Sequence, residues 1–552
     1  MGNETNEILK AERQQSNEQE KTPEVLLPEM YQPKPLFELQ KDDTVFALCA
    51  LAASVFTAIF GIFGGFAFGY LLSIVLMTAL FFIYFAKGGK VRVLPIIYGI
   101  LSLANGTVFI CISNGSVRFF AVLVSFLLSL VCFDGMTNDV SHGNRQTIGI
   151  FYSAASTIGN IGTSIKSLFA SSDGDKKAIG KVLIGLVCAI PVLIIVIPLL
   201  ISSDDAFRGM MSNISGNTFS TILKAIFGII LSLFAISYGF SLKTGRIAKV
   251  KEGKFTGIEN VYIISFLSAI AVCYFMYLFS QLAYFFSAFK GFLPDGDITY
   301  AQYARKGFFE MCIIAVINLG LVFFSMLLAK KQNGKVCAGL QIIATFISVF
   351  TLIIIATAIS KMVLYISEYG MTILRITTSA FMLFLAVVFI SVILRIYITK
   401  INIVKTALLS AGLIVMLLGT VNVNAICAKY NYEAYKAGKL DSIDIEAIYN
   451  LGDEGIPYIT RLAYSKDKMI ADEAKEYLSY AYCDNVYFDN IKCTDNFTVD
   501  DLKQNQKQKG FEQFSIPRDK AYDALYTFLE KNPDFSAQCD KYFGESYYDY
   551  NW

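Results

Sequence analysis

Charge is what this sequence has least of. Only 17% of its 552 residues are Asp, Glu, Lys or Arg, against about 25% in a soluble globular chain. None falls between Thr44 and Ala86, which excludes a water-facing surface over that stretch. Histidine is nearly missing: the one copy, His142, lies in a polar loop, so histidine-based acyl transfer at an outer site is excluded. The eleven cysteines form no CxxC pair. Neither a Walker motif nor a dinucleotide fingerprint occurs. "SSDGDKK" (Ser171–Lys177) starts like a calcium loop but has no acid at its twelfth position. No cofactor, no metal and no nucleic acid partner are expected. The first 43 residues lack the apolar core of a cleavable signal peptide. They read as a disordered cytosolic tail.

What is present is hydrocarbon. Hydrophobic residues make up 55% of the chain, bunched into long runs. A helix needs about 20 apolar residues to cross a bilayer. The runs predict eleven spans: Thr44–Phe60, Phe66–Phe85, Val93–Ser113, Arg118–Phe133, Val182–Ile201, Phe219–Leu242, Val261–Leu282, Phe308–Leu328, Cys337–Ser360, Ile376–Ile396 and Val404–Val423. The first two are split only by "GIFGG" (Gly61–Gly65), which reads as a hairpin turn. With the N-terminus inside, the cytosolic segments hold 24 Lys and Arg and the outer loops 8, as cytosolic loops of membrane proteins favour. An odd count then puts the C-terminal segment outside. That segment is acidic, with 23 Asp and Glu against 15 Lys and Arg past residue 424.

The fold expected is therefore an all-α polytopic membrane bundle of about 11 transmembrane helices with a small extracytoplasmic, mainly helical C-terminal domain. Its parts are a cytosolic tail (1–43), a transmembrane domain (44–423) and the outer domain (424–552). One inner segment, Thr147–Ser172, is too polar to span. Ile158, Ile161, Ile165 and Leu168 share one face there, so it reads as a helix lying in the inner interface. In the outer domain Cys483 and Cys493 are the nearest candidates for a disulfide, with reduced thiols as the alternative.

Three outer stretches carry an acid, an arginine and a glycine at the membrane edge: "SSDDAFRGMMSNI", "DITYAQYARKGFFEMCIIAVINLG" and "KMVLYISEYGMTILRI". Together they predict a polar site at the outer mouth, made of Asp204, Asp205, Arg208, Tyr300, Tyr303, Arg305, Glu310, Tyr365, Glu368, Tyr369, Thr372 and Arg375. Glu310 falls about one turn below the surface, and Asn318 about 12 Å deeper, where polar groups face the bundle interior. The competing reading is ion pairs and interfacial tyrosines that fix helix ends. A helix continuous through Gly370 would put Glu368, Thr372 and Arg375 on one stripe. A break there would leave Tyr365, Glu368 and Tyr369 on a loop.

Two of these stretches carry a resemblance. Tyr300, Ala301, Tyr303, Ala304, Arg305, Gly307 and Phe308 match a Tyr-Ala-x-Tyr-Ala-Arg-x-Gly-Phe pattern. Tyr369, Gly370, Thr372 and Arg375 match Tyr-Gly-Leu-Thr-x-x-Arg, with Met371 where leucine is usual. Over about residues 45–425 the chain resembles a family of multi-pass membrane proteins from Gram-positive bacteria, described only as a domain of unknown function. The resemblance implies a fold type and no activity. Three functions stay open. The first is an envelope sensor, scaffold or assembly protein of the cell membrane, with an unidentified protein or envelope partner at the outer face. The second is a transporter or flippase-like protein. The third is a membrane enzyme using Asp204 and Asp205 on lipid-linked substrates.

Overall fold

The computed structural model describes residues 36–87, 93–137, 157–170, 216–245, 257–289, 308–331, 336–398, 401–487 and 510–535, with a few isolated residues between them. Among the described residues ten helices are long and apolar enough to cross a membrane. They match ten of the eleven expected spans. The fifth, Val182–Ile201, lies outside the described residues.

The first span is α1 (Lys41–Phe56), which continues as a π-helical turn over Thr57–Ile62. The chain then reverses where Gly65 and Phe66 take positive φ (89° and 50°). A Cβ on Gly69 would sit 2.0 Å from the Phe60 carbonyl oxygen, so glycine sets the tightness of this hairpin. Next come α2 (Phe68–Ala86), α3 (Val93–Gly106) with its short extension α4 (Val108–Cys111), and α5 (Gly115–Thr137). α6 (Ile161–Ala170) is short, and α7 (Gly216–Lys243) runs antiparallel to α1. The rest of the bundle is α8 (Asn260–Phe289), α9 (Phe308–Leu328), α10 (Ala338–Tyr369), α11 (Ile373–Tyr397) and α12 (Ile403–Thr420). α10 overruns its expected end at Ser360 because no glycine or proline interrupts it before Gly370.

The bundle has two halves. α1, α2, α3, α5 and α7 close around Phe46, Phe81, Tyr98, Leu128 and Phe240. α8 to α11 close around Leu267, Leu340, Phe350, Met382 and Phe389. α12 joins them, packing on α3 and α5 on one side and α11 on the other. Its glycines permit this: Cβ atoms on Gly412 and Gly419 would lie 2.8 Å from Leu101 and 2.4 Å from Val108. Asn318 is fully buried, as its depth requires. Its amide accepts from the Tyr274 hydroxyl (2.6 Å) and donates to Thr351 (2.9 Å).

The expected inner helix is present as α6, and its polar side meets the protein, joined by Leu168 from the apolar side. Asn160, Ser164 and Ser167 are buried against the end of α7 and the chain before α1. Asn160 donates to Ser241 (3.0 Å) and Phe37 N–H donates to Ser167 (2.7 Å). Small hydroxyl side chains let helices approach closely and find partners across the gap. Ile158 faces outward.

The C-terminal segment folds into α13 (Val423–Lys436), α14 (Ile445–Tyr449), α15 (Ile456–Leu462), α16 (Lys468–Tyr487) and α17 (Ile516–Lys531). Its core is continuous with one end of the bundle. Val108, Phe109, Ile112 and Val117 share a buried cluster with Cys427, Ile448, Ile459, Leu478, Leu525 and Phe528.

Candidate functional site at the domain-bearing end of the bundle

The stretch 361–376 shows how this end is built. α10 runs to Tyr369, so Tyr365, Glu368 and Tyr369 sit on a helix and not on a loop. Gly370 ends it with φ 78° and ψ −179°, a conformation open in practice only to glycine. Thr372 then caps α11, its hydroxyl accepting from Arg375 N–H at 3.4 Å. The break removes any continuous stripe of Glu368, Thr372 and Arg375.

Arg375 turns back. Its guanidinium donates to the carbonyls of Tyr369 (3.0 Å) and Gly370, and lies 4.2 Å over the Tyr365 ring. A cation on the last carbonyls of a helix satisfies orphan acceptors and offsets the negative end of the dipole. Glu368 is exposed and forms no ion pair with Arg375. Glu310 is also exposed, at the start of α9. Asp204, Asp205, Arg208, Tyr300, Tyr303 and Arg305 lie outside the described residues. Of the twelve expected residues, the structure thus brings together Tyr365, Tyr369, Thr372 and Arg375.

The same device recurs between α4 and α5. Arg118, in the first turn of α5, donates back to the carbonyls of Ile112 (2.7 Å) and Phe109 (3.1 Å). Asn114 caps α5 by accepting from Val117 N–H (3.0 Å).

The C-terminal helices fasten onto these turns. Asn431 of α13 grips Met371 at both ends, accepting from its N–H and donating to its carbonyl, each at 2.7 Å. Gly370 is pressed against that amide: a Cβ there would lie 2.6 Å from Asn431 Oδ1. Asn422, at φ 54°, donates to the Cys111 carbonyl (2.6 Å). Glu454 accepts from Ser113 N–H (2.8 Å) and from the Ser113 hydroxyl. Burial pushes the Glu454 carboxyl above the usual carboxylate range, although the Ser113 donors pull the other way. Phe68 N–H donates to the Phe514 carbonyl (3.3 Å), and Phe511 stacks on Phe60 at 5.6 Å. Three turns of the bundle are therefore held by the C-terminal segment: 60–68, 112–114 and 370–372.

Sequence reading missed Ser113, Asn422, Asn431 and Glu454. Single Asn and Glu residues in polar segments carry no periodic signal. Only Gly370, beside Thr372, hinted at a turn needing a partner. The expected disulfide of Cys483 and Cys493 falls outside the described side chains. Cys427 is a buried free thiol, pushed up to about 12 by burial, and so unreactive. Among the described residues no group of His, Cys, Asp or Glu is arranged to hold a metal ion.

The fold defines an all-helical integral membrane protein with many spans. Residues 36–462 match a family described as a domain of unknown function, DUF4153, and the chain belongs to that family. The matched region runs past the expected boundary at 423 and takes in α13 to α15, with Asn422, Asn431 and Glu454. No curated protein and no solved structure matches the chain.

Proposed function

We propose that the protein is a sensor, scaffold or assembly protein of the cell envelope, acting through its C-terminal helices and the loops beneath them. The observation that carries this is the fastening of the C-terminal segment to three bundle turns through polar links. A domain held so firmly transmits or resists force better than it swings aside to admit a solute. The N-terminus is cytosolic and the C-terminal helices extracytoplasmic, in keeping with the Lys and Arg bias of the loops. The bilayer is one partner, and an unidentified protein or envelope component at the outer face the other.

A transporter-like reading requires water below Arg375. Against it, Met382, Leu385 and Phe389 of α11 are buried among Phe308, Met311 and Phe350. The test places single cysteines at Thr372, Ser379, Met382 and Ala386 in a variant stripped of reactive outer thiols, and adds an impermeant maleimide to intact cells. The expected result is labelling at Thr372 that stops before Met382. Labelling that persists to Met382 or Ala386 would sink the scaffold reading. A cysteine at Met469, which is 82% exposed on α16, should react from outside. Failure there would reverse the orientation.

A further inference from the structure

The first half of the bundle contains a cavity of about 460 Å³. It runs along α2 from Tyr70 to Phe81, a length of about 16 Å at 1.5 Å per residue. Volume over length gives a mean cross-section of about 29 Å², the girth of one extended hydrocarbon chain. The volume falls within the range of ligand pockets, which are mostly apolar with a few placed polar groups.

Several of the wall's hydroxyls are turned to backbone carbonyls. Thr57 donates to the Ala53 carbonyl (2.8 Å), Ser73 to Gly69 (2.8 Å), Ser102 to Ser125 (2.9 Å) and Thr157 to Ala154 (2.6 Å). A cavity so lined does not hold water well. Its mouth is at membrane depth: among the lining residues Phe126, Ile158 and Phe234 face outward from the bundle. The π-helical turn of α1 borders it through Thr57 and Ile62, and such turns occur frequently at functional sites.

We propose that this cavity binds one hydrocarbon chain of a membrane amphiphile. A phospholipid acyl chain and the prenyl tail of a quinone both present this chemistry. The site is separate from the domain-bearing end and does not depend on the function proposed for it.

The test uses the full chain in bilayer nanodiscs and two photoreactive probes, a diazirine-bearing phosphatidylcholine and a diazirine-bearing prenyl quinone. Crosslinked residues are mapped by peptide mass spectrometry. The expected result is saturable labelling at Met77, Thr78 or Phe81 by one of the probes, which identifies the source of the ligand. Ser129→Phe, which fills the cavity, should abolish it, while Leu76→Phe on the outer surface of α2 should leave it unchanged. Labelling by both probes confined to outward residues such as Ile83 and Phe119 in the wild-type chain would overturn the proposal, whatever the variants do. So would cavity labelling that Ser129→Phe leaves intact.

Discussion

Asn431→Ala tests whether the C-terminal helices are fastened as described. The side chain makes two 2.7 Å hydrogen bonds to the backbone of Met371. Removing it forfeits about 1 kcal/mol for each bond, and leaves partly buried backbone groups whose desolvation adds about as much again. The loss is therefore about 2–4 kcal/mol, confined to the turn and its contact with α13. Hydrogen exchange in peptides spanning 365–375 reads this loss directly, because local opening sets the rate. At 1.4 kcal/mol per factor of ten, exchange of the Met371 amide should speed up about 30- to 700-fold. Asn431→Asp keeps the acceptor for that amide and loses the donor to the carbonyl, so its effect should be smaller. An Asn431→Ala protein that is folded and exchanges at the wild-type rate would refute the reasoning, since the turn would then be held by something other than this amide.

Further predictions follow from the same geometry. Gly370→Ala should cost about 1–3 kcal/mol from backbone strain alone, plus the clash with Asn431, and should lower the melting temperature in detergent. Glu454 carries a raised carboxyl pKa, so the docked form binds its proton more tightly than the undocked form. Its contribution to docking should be complete below the ordinary carboxylate range and fade as pH rises through the raised value. Proteolysis of the C-terminal helices should accordingly quicken from acidic to neutral pH, and Glu454→Gln should flatten that profile. At the opposite end Asp43 is buried, accepts from the Tyr84 hydroxyl (2.8 Å) and pairs with Lys243 (2.5 Å). Lys243→Ala should destabilise the bundle by about 2 kcal/mol, below the usual cost of stripping a buried pair because the Lys243 side chain is 34% exposed. Thermal unfolding in a fixed detergent measures it.

The spans were legible because hydrocarbon imposes one strong rule: a long apolar run must be a helix with its backbone satisfied. That rule places ten helices, and stops α8 and α10 seven and nine residues short because a helix turn beyond the apolar run looks like a loop in composition. The outer site was only partly legible. Arg375 stood out as a charge beside an apolar run, but its partner was inferred from one-dimensional spacing to Glu368. In three dimensions the nearest acceptors are the carbonyls at the end of its own hairpin, and a helix end always has orphan carbonyls to offer. Asn431 and Glu454 lie 60 and 341 residues from the groups they hold, and no local pattern reports such pairs.

The position of the C-terminal helices also bears on how α5 and α7 are placed. The C-terminal segment touches the turns at 60–68, 112–114 and 370–372, which therefore share one end of the bundle. With these turns at one end, the end of α5 and the start of α7 lie at opposite ends. The described residues on either side agree. α6 lies beside Ser241 at one end, whereas α7 begins at Gly216, about 42 Å from its own far end at 1.5 Å per residue. The expected span Val182–Ile201, which lies outside the described residues, would make such a crossing. A reporter fused after residue 175 and one fused after residue 213 should therefore report opposite sides of the membrane. The same side for both would break the parity and, with it, the arrangement of all helices from α7 onward.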